Sequence, residues 1–139
     1  MLVLDTNHLR ELAYRSAHGI RLSERLDDSG SDAVTTVVCA QESVRGRMAR
    51  IAAARRTSDE VDAYARFAEE IGFLSCFTIL PWDAEAAERF ARFRSMGIRI
   101  GTMDLKIACI CIEHDVVLLT RNTVDFAGIP GLRFENWLD

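Results

Sequence analysis

Short apolar, β-branched runs alternate along this chain with longer stretches of helical periodicity, and that alternation limits the fold most. Residues 1–4, 33–38, 77–80 and 116–119 read as strands, with a short further strand over 132–134. Between them the spacing predicts helices over 7–15, 20–26, from 39 onward, 58–72, 82–96 and 104–114. The expected inward faces include Leu9, Leu12 and Ala13 in the first helix and Ile20, Leu22 and Leu26 in the second. In the 58–72 helix they are Val61, Tyr64, Ala65, Ala68 and Ile71, with Ser58-Asp59-Glu60 as its opening cap. Strands that are apolar without polar alternation are covered on both faces. The expectation is a three-layer α/β/α sandwich around a mainly parallel sheet, with right-handed crossovers and a single domain over 1–139.

At 49% hydrophobic and 27% charged residues the chain is globular rather than disordered. No apolar run approaches the roughly 18 residues a membrane span needs. The first residues lack the basic and apolar regions of a signal peptide. A cytoplasmic protein with no membrane attachment is expected. Cys39, Cys76, Cys109 and Cys111 form no Cys-x-x-Cys pair and stand among apolar neighbours, so all four are expected as buried free thiols. A net charge of −4 excludes a polycation. Nucleic acid would have to be met by a local basic patch or by metal ions on an acidic site.

The acids supply the chemistry. Asp5 follows the first strand in Asp5-Thr6-Asn7, and Glu42 lies one turn into the helix after the second. Asp104 begins a helix after Gly101-Thr102-Met103, where the helix dipole favours negative charge, and Asn122 and Asp125 follow the strand over 116–119. Singly, each has an ordinary reading: a helix cap, a solvated glutamate, a helix-start acid, a turn former. In a parallel sheet, however, all of these positions share one edge, where open α/β sheets place their ligands. Carboxylates converging there repel one another unless a cation neutralises them. Hard divalent cations take oxygen ligands, and Mg²⁺ keeps several waters, an arrangement suited to water attack on a phosphodiester.

Other features are less specific. Arg45, Arg47, Arg50, Arg55 and Arg56 make the region after Glu42 basic, suiting either RNA phosphates or an acidic protein segment. His8, His18 and His114 show no metal spacing and no nucleophile partner, and are expected to be structural or exposed. Trp82, Phe90 and Phe93 fit core or dimer contacts, while Thr6 and Thr120 fit loop shaping.

Met1-Leu2-Val3-Leu4-Asp5-Thr6-Asn7, then Glu42, then Ile100-Gly101-Thr102-Met103-Asp104 with Ile107-Ala108, resembles the PIN domain. The ending Leu119-Thr120-Arg121-Asn122-Thr123-Val124-Asp125-Phe126, with Ile129-Pro130-Gly131-Leu132, is similar to the VapC-type toxins of that family. The matches run in the right order over nearly the whole chain. The resemblance implies a Mg²⁺- or Mn²⁺-dependent endoribonuclease, the toxin of a type II toxin–antitoxin pair. Such a protein acts as a homodimer and is restrained by a cognate antitoxin.

Carried onto this chain, the resemblance makes Asp5, Glu42, Asp104 and Asp125 the catalytic set. Asp5 and Asp104 are the principal metal ligands, and Glu42 completes the site directly or through a water. Many relatives hold an acid near Asn122, where this chain has an amide, so the fourth position falls to Asn122 or Asp125. Arg45, Lys106 and Arg121 are the candidate RNA contacts. The competing reading is a catalytically weak PIN-like module that binds RNA or protein, and retention of Asp5, Glu42 and Asp104 together argues against it. A phosphatase or response-regulator site is disfavoured, because no second Asp stands two residues after Asp5 and no lysine follows a late strand.

Overall fold

The computed structural model describes residues 1–139. In chain order its elements are β1 (Leu2–Leu4), α1 (Thr6–Tyr14), α2 (Ala17–Ser29), β2 (Ala33–Thr36), α3 (Val37–Ala53) and α4 (Thr57–Leu74). There follow β3 (Ile79–Leu80), α5 (Ala84–Ser95), α6 (Thr102–Glu113), β4 (Val117–Leu119), α7 (Thr123–Phe126) and β5 (Arg133–Glu135). Every strand pairing is parallel, in the order β3-β2-β1-β4-β5, so the fold is the expected α/β type with helices flanking a parallel sheet.

The strand order sets the position of the site. The chain moves outward from β1 through β2 to β3, then returns through α5 and α6 to place β4 on the other side of β1. Such a reversal opens a crevice outside the carboxyl ends of the two central strands. Leu4 stands opposite Leu119, and the Asp5 N–H donates to the Leu119 carbonyl at 3.1 Å. Asp5 and the residues after β4 therefore emerge side by side.

The central elements are fixed by burial. Val3, Leu4, Leu118 and Leu119 have no exposed surface. Leu105, Ile107, Ala108, Cys109, Ile110 and Cys111 are also buried, so α6 is enclosed nearly all round, as a helix apolar on every face must be. Each such aliphatic side chain contributes about 1.5–3 kcal/mol through burial, so α6 cannot slide without exposing several of them. Asp104, in its first turn, is held at the crevice by that anchorage.

Several local expectations are corrected. β2 ends at Thr36 rather than running through residue 38, because the Thr36 hydroxyl accepts the Cys39 N–H at 3.1 Å and opens α3 at Val37. Glu42 consequently lies in the second turn of α3. Helix α2 starts at Ala17, capped by Ser16, whose hydroxyl accepts the Gly19 N–H at 3.0 Å. Gly19 is needed there because a Cβ would lie 1.9 Å from the Glu11 carbonyl oxygen of α1. Ile20 faces solvent, while Leu22 and Leu26 face the core.

Helix α4 forms where predicted, but starts at Thr57 and without a side-chain cap. Its apolar residues Val61, Tyr64, Ala65, Ala68 and Ile71 are exposed; Ala63, Glu70 and Leu74 turn inward instead. The helix packs on α3, where Glu70 lies 3.6 Å from the Arg47 guanidinium. A partner charge thus draws a polar residue inside at the expense of the apolar stripe. Cys39, Cys109 and Cys111 are buried, but Cys76 is exposed, because it lies in the turn leading to the edge strand β3 rather than in a packed element. No helix is long and apolar enough to cross a membrane.

Candidate active site

Asp5 is both a helix cap and a candidate ligand. It leaves β1 as the N-cap of α1, and its Oδ1 accepts the His8 backbone N–H at 2.9 Å. The same oxygen lies 2.9 Å from His8 Nδ1. The ordinary cap reading is therefore correct as far as Oδ1 is concerned, and Oδ2 is left for another role.

Across the crevice, α6 presents Asp104, half-buried, after a Gly101 N-cap that offers no side-chain bond. The exit from β4 is tied by the Asn122 N–H, which donates to Thr120 Oγ1 at 3.0 Å. This delivers the Asn122 amide between two acids: Nδ2 donates to Asp104 Oδ2 at 3.2 Å and to Asp125 Oδ2 at 3.0 Å. The two carboxylate oxygens are thus no more than about 6.2 Å apart. Sequence reasoning posed Asn122 and Asp125 as alternatives; the structure brings both to Asp104, bridged by the amide.

Glu42 arrives from α3. Its Oε1 is shielded from solvent without a hydrogen-bond partner, as is Thr6 Oγ1. Orphaned buried polar atoms are rare in native folds and call for a partner such as an ion or a water. Burial pushes the Glu42 carboxyl above its ordinary value, the charges of Asp104 and Asp5 push it further, and Arg45 opposes them. Burial likewise raises the Asp104 carboxyl, followed by Asp125 and Asp5, against the hydrogen bond from Asn122. The four acids therefore share one electrostatic neighbourhood that is short of positive charge. The Cys39 thiol nearby is pushed up to about 12, chiefly by its own burial, and stays protonated.

This donor set fits a hard divalent cation. It consists of oxygens, carries excess negative charge and includes a buried carboxylate oxygen with no other partner. No three acidic, histidine or cysteine side chains are gathered closely enough to form a metal-binding group by themselves. Mg²⁺ takes one or two carboxylates from a protein and keeps waters for its remaining positions.

The basic candidates lie differently. Arg45 is exposed and close enough to influence Glu42. Lys106 Nζ sits 5.4 Å from the Trp82 ring centroid, and Arg121 lies 3.7 Å from Glu11 and 3.3 Å from Asp139. Lys106 and Arg121 are thus engaged within the fold. A groove of about 630 Å³ opens from Thr6 and Glu42, lined by Arg47, Arg50 and Arg66 alongside Asp59, Asp62 and Glu70. His8, expected to be structural or exposed, is structural: it is wholly buried against Asp5, a contact the sequence reading did not draw. The available signal was its position three residues after an N-cap aspartate, on the first turn of the same helix.

A parallel α/β fold with carboxylates gathered at its switch-point edge defines the class. The PIN domain profile matches residues 2–132, and the chain belongs to the PIN-domain family. Among curated proteins it is similar to "Ribonuclease VapC1" of Rickettsia felis, 44% identical over 62 residues, which are 42% of this chain and 46% of that one. It is also similar to the "tRNA(fMet)-specific endonuclease VapC" of Salmonella typhimurium, 33% identical over 70 residues, covering 48% of this chain and 53% of the relative. The chain spans about half the length of the curated relatives it matches.

Solved structures extend the likeness in fold. VapBC2 from Rickettsia felis, bound to a promoter DNA fragment, matches with a TM-score of 0.74 at 21% identity, covering 98% of both chains. DNA-bound VapBC from Salmonella typhimurium matches with a TM-score of 0.72 at 24% identity, over 98% of this chain and 97% of that one.

Proposed function

We propose that this chain is a Mg²⁺- or Mn²⁺-dependent endoribonuclease, the toxin of a toxin–antitoxin pair. The observation that carries the reading is the crevice itself: Glu42 Oε1 is buried with no partner, and Glu42 and Asp104 are each raised first by burial and then by the charges of the other acids. Asp5 through Oδ2 and Asp104 are the principal ligands; Glu42 joins them directly or through a water, and Asp125 adds charge at the rim. A divalent ion held by these residues would supply a water of lowered pKa and positive charge beside the phosphate. Asn122 fixes Asp104 and Asp125 in register. Where Glu42 meets the ion through a water, its carboxylate would be placed to accept a proton from that water.

The groove leading from Glu42 receives either the RNA backbone or an antitoxin segment. Its arginines supply contacts to RNA phosphates or to an acidic antitoxin segment. The names of the relatives support the RNA substrate; an antitoxin partner and a homodimer follow the family resemblance. All of residues 1–139 act as one nuclease domain in this reading.

The test is RNA cleavage with Mg²⁺ or Mn²⁺ by wild type, Asp5→Ala and Asp104→Ala. Both variants should lose activity, and EDTA should abolish it. Cleavage that persists in both variants, or that ignores EDTA, would overturn the assignment.

A further inference from the structure

The two oxygens of Asp5 are treated differently by the fold. Oδ1 accepts the His8 backbone N–H and faces the His8 ring at Nδ1, each at 2.9 Å. His8 has no exposed surface, and its Nε2 accepts the Trp137 backbone N–H at 3.4 Å. A neutral imidazole satisfies both contacts only when its proton is on Nδ1. Trp137 is itself held in place. The Arg25 guanidinium stacks 4.1 Å from its ring centroid, and its indole N–H donates to Glu135 Oε2 at 2.6 Å. The buried Leu138 follows, with its N–H donating to Asn136 Oδ1 at 3.0 Å.

We propose that His8 is a positioning residue for Asp5: held as the Nδ1–H tautomer by the residues after β5, it pins Oδ1 and turns Oδ2 toward the cation. The inference rests on the metal site proposed above. It explains why a cap aspartate serves as a ligand, since the backbone N–H alone would leave the carboxylate free to rotate. Groups that orient metal ligands in this way typically change affinity by about 10–100-fold when removed.

The test uses the full chain with Mn²⁺ alone, following free Mn²⁺ by electron paramagnetic resonance, beside urea denaturation. Asp5→Asn should weaken Mn²⁺ binding strongly, and His8→Leu should weaken it about tenfold or more. His8→Asn, whose amide places an N–H close to the position of Nδ1, should stay within about threefold of wild type. His8→Leu binding like wild type while Asp5→Asn loses Mn²⁺ would overturn the positioning role and leave the metal site standing. His8→Asn as weak as His8→Leu at equal stability would overturn it as well. If Asp5→Asn keeps wild-type affinity, the metal site itself falls. Nitrogen-15 NMR of the wild-type His8 ring provides a check that needs no folded variant: protonation on Nδ1 is expected, and an Nε2–H tautomer refutes the inference.

Discussion

Replacing Asp104 by Asn should make the metal-free protein more stable and abolish the gain that divalent ions bring. Asp104 Oδ2 and Asp125 Oδ2 lie within about 6.2 Å of each other through the shared Asn122 amide. Two unit charges at that distance repel by about 3 kcal/mol at an effective dielectric of 20, and by about 0.7 kcal/mol in bulk water. Asp125 is exposed and Asp104 half-buried, so a value near 1–1.5 kcal/mol is appropriate. Asp5 adds to the repulsion. Against this, a carboxylate in the first turn of α6 gains about 0.3–1 kcal/mol from the helix dipole. The asparagine oxygen still accepts from Asn122, so that bond need not be lost. Repulsion wins, and Asp104→Asn should stabilise the apo chain by about 0.5–1 kcal/mol, or roughly 2–5 °C in Tm. With Mg²⁺ at tenfold its dissociation constant, wild type should gain about 1.4 kcal/mol and the variant far less, reversing the order. Differential scanning calorimetry with EDTA and then with Mg²⁺ checks both halves. An apo variant less stable than wild type, or one that gains as much from Mg²⁺, would refute the reasoning.

The remaining predictions use the same geometry. Because the folded-state values of Glu42 and Asp104 are raised, they favour folding below the ordinary carboxylate range, and that contribution is lost as pH rises through the raised values. The urea midpoint of the metal-free protein should therefore rise as pH falls from neutral into the ordinary carboxylate range, and Asp104→Asn should flatten this dependence; an unchanged or falling wild-type midpoint would contradict it. Asn122→Asp replaces the bridging donor with a third carboxylate, and should cost the apo protein about 2 kcal/mol while tightening Mn²⁺ binding severalfold. Urea denaturation and Mn²⁺ titration of that variant read the two effects separately. Gly19→Ala should destabilise by about 3 kcal/mol or more, since its Cβ would sit 1.9 Å from the Glu11 carbonyl oxygen; wild-type stability would mean that α1 and α2 separate freely.

Much of the site was legible because its residues follow local rules. An acid after an apolar run, or at the start of a helix, occupies a position set by its own segment, and a parallel sheet sends those positions to one edge. Asp5, Glu42 and Asp104 could be singled out on that basis. Local rules failed where two of them competed. At Thr36 a hydroxyl cap overrode the β-branched run that suggested a longer strand. On α4 the helical period was correct, but the inward face was chosen by α3 and by the charge of Arg47 on Glu70. Lys106 and Arg121 looked free in the sequence and are occupied by Trp82, Glu11 and Asp139.

By itself the sequence determined the alternation of strands and helices, and with it an acidic edge, because hydrophobic period and turn chemistry act over a few residues. Only the tertiary structure decided how the acids are arranged there. The Asn122 amide bridges two carboxylates, and the His8 ring lies against one Asp5 oxygen with a backbone N–H from residue 137 behind it. Those contacts join segments up to 129 residues apart, and no local preference encodes a distance across the fold.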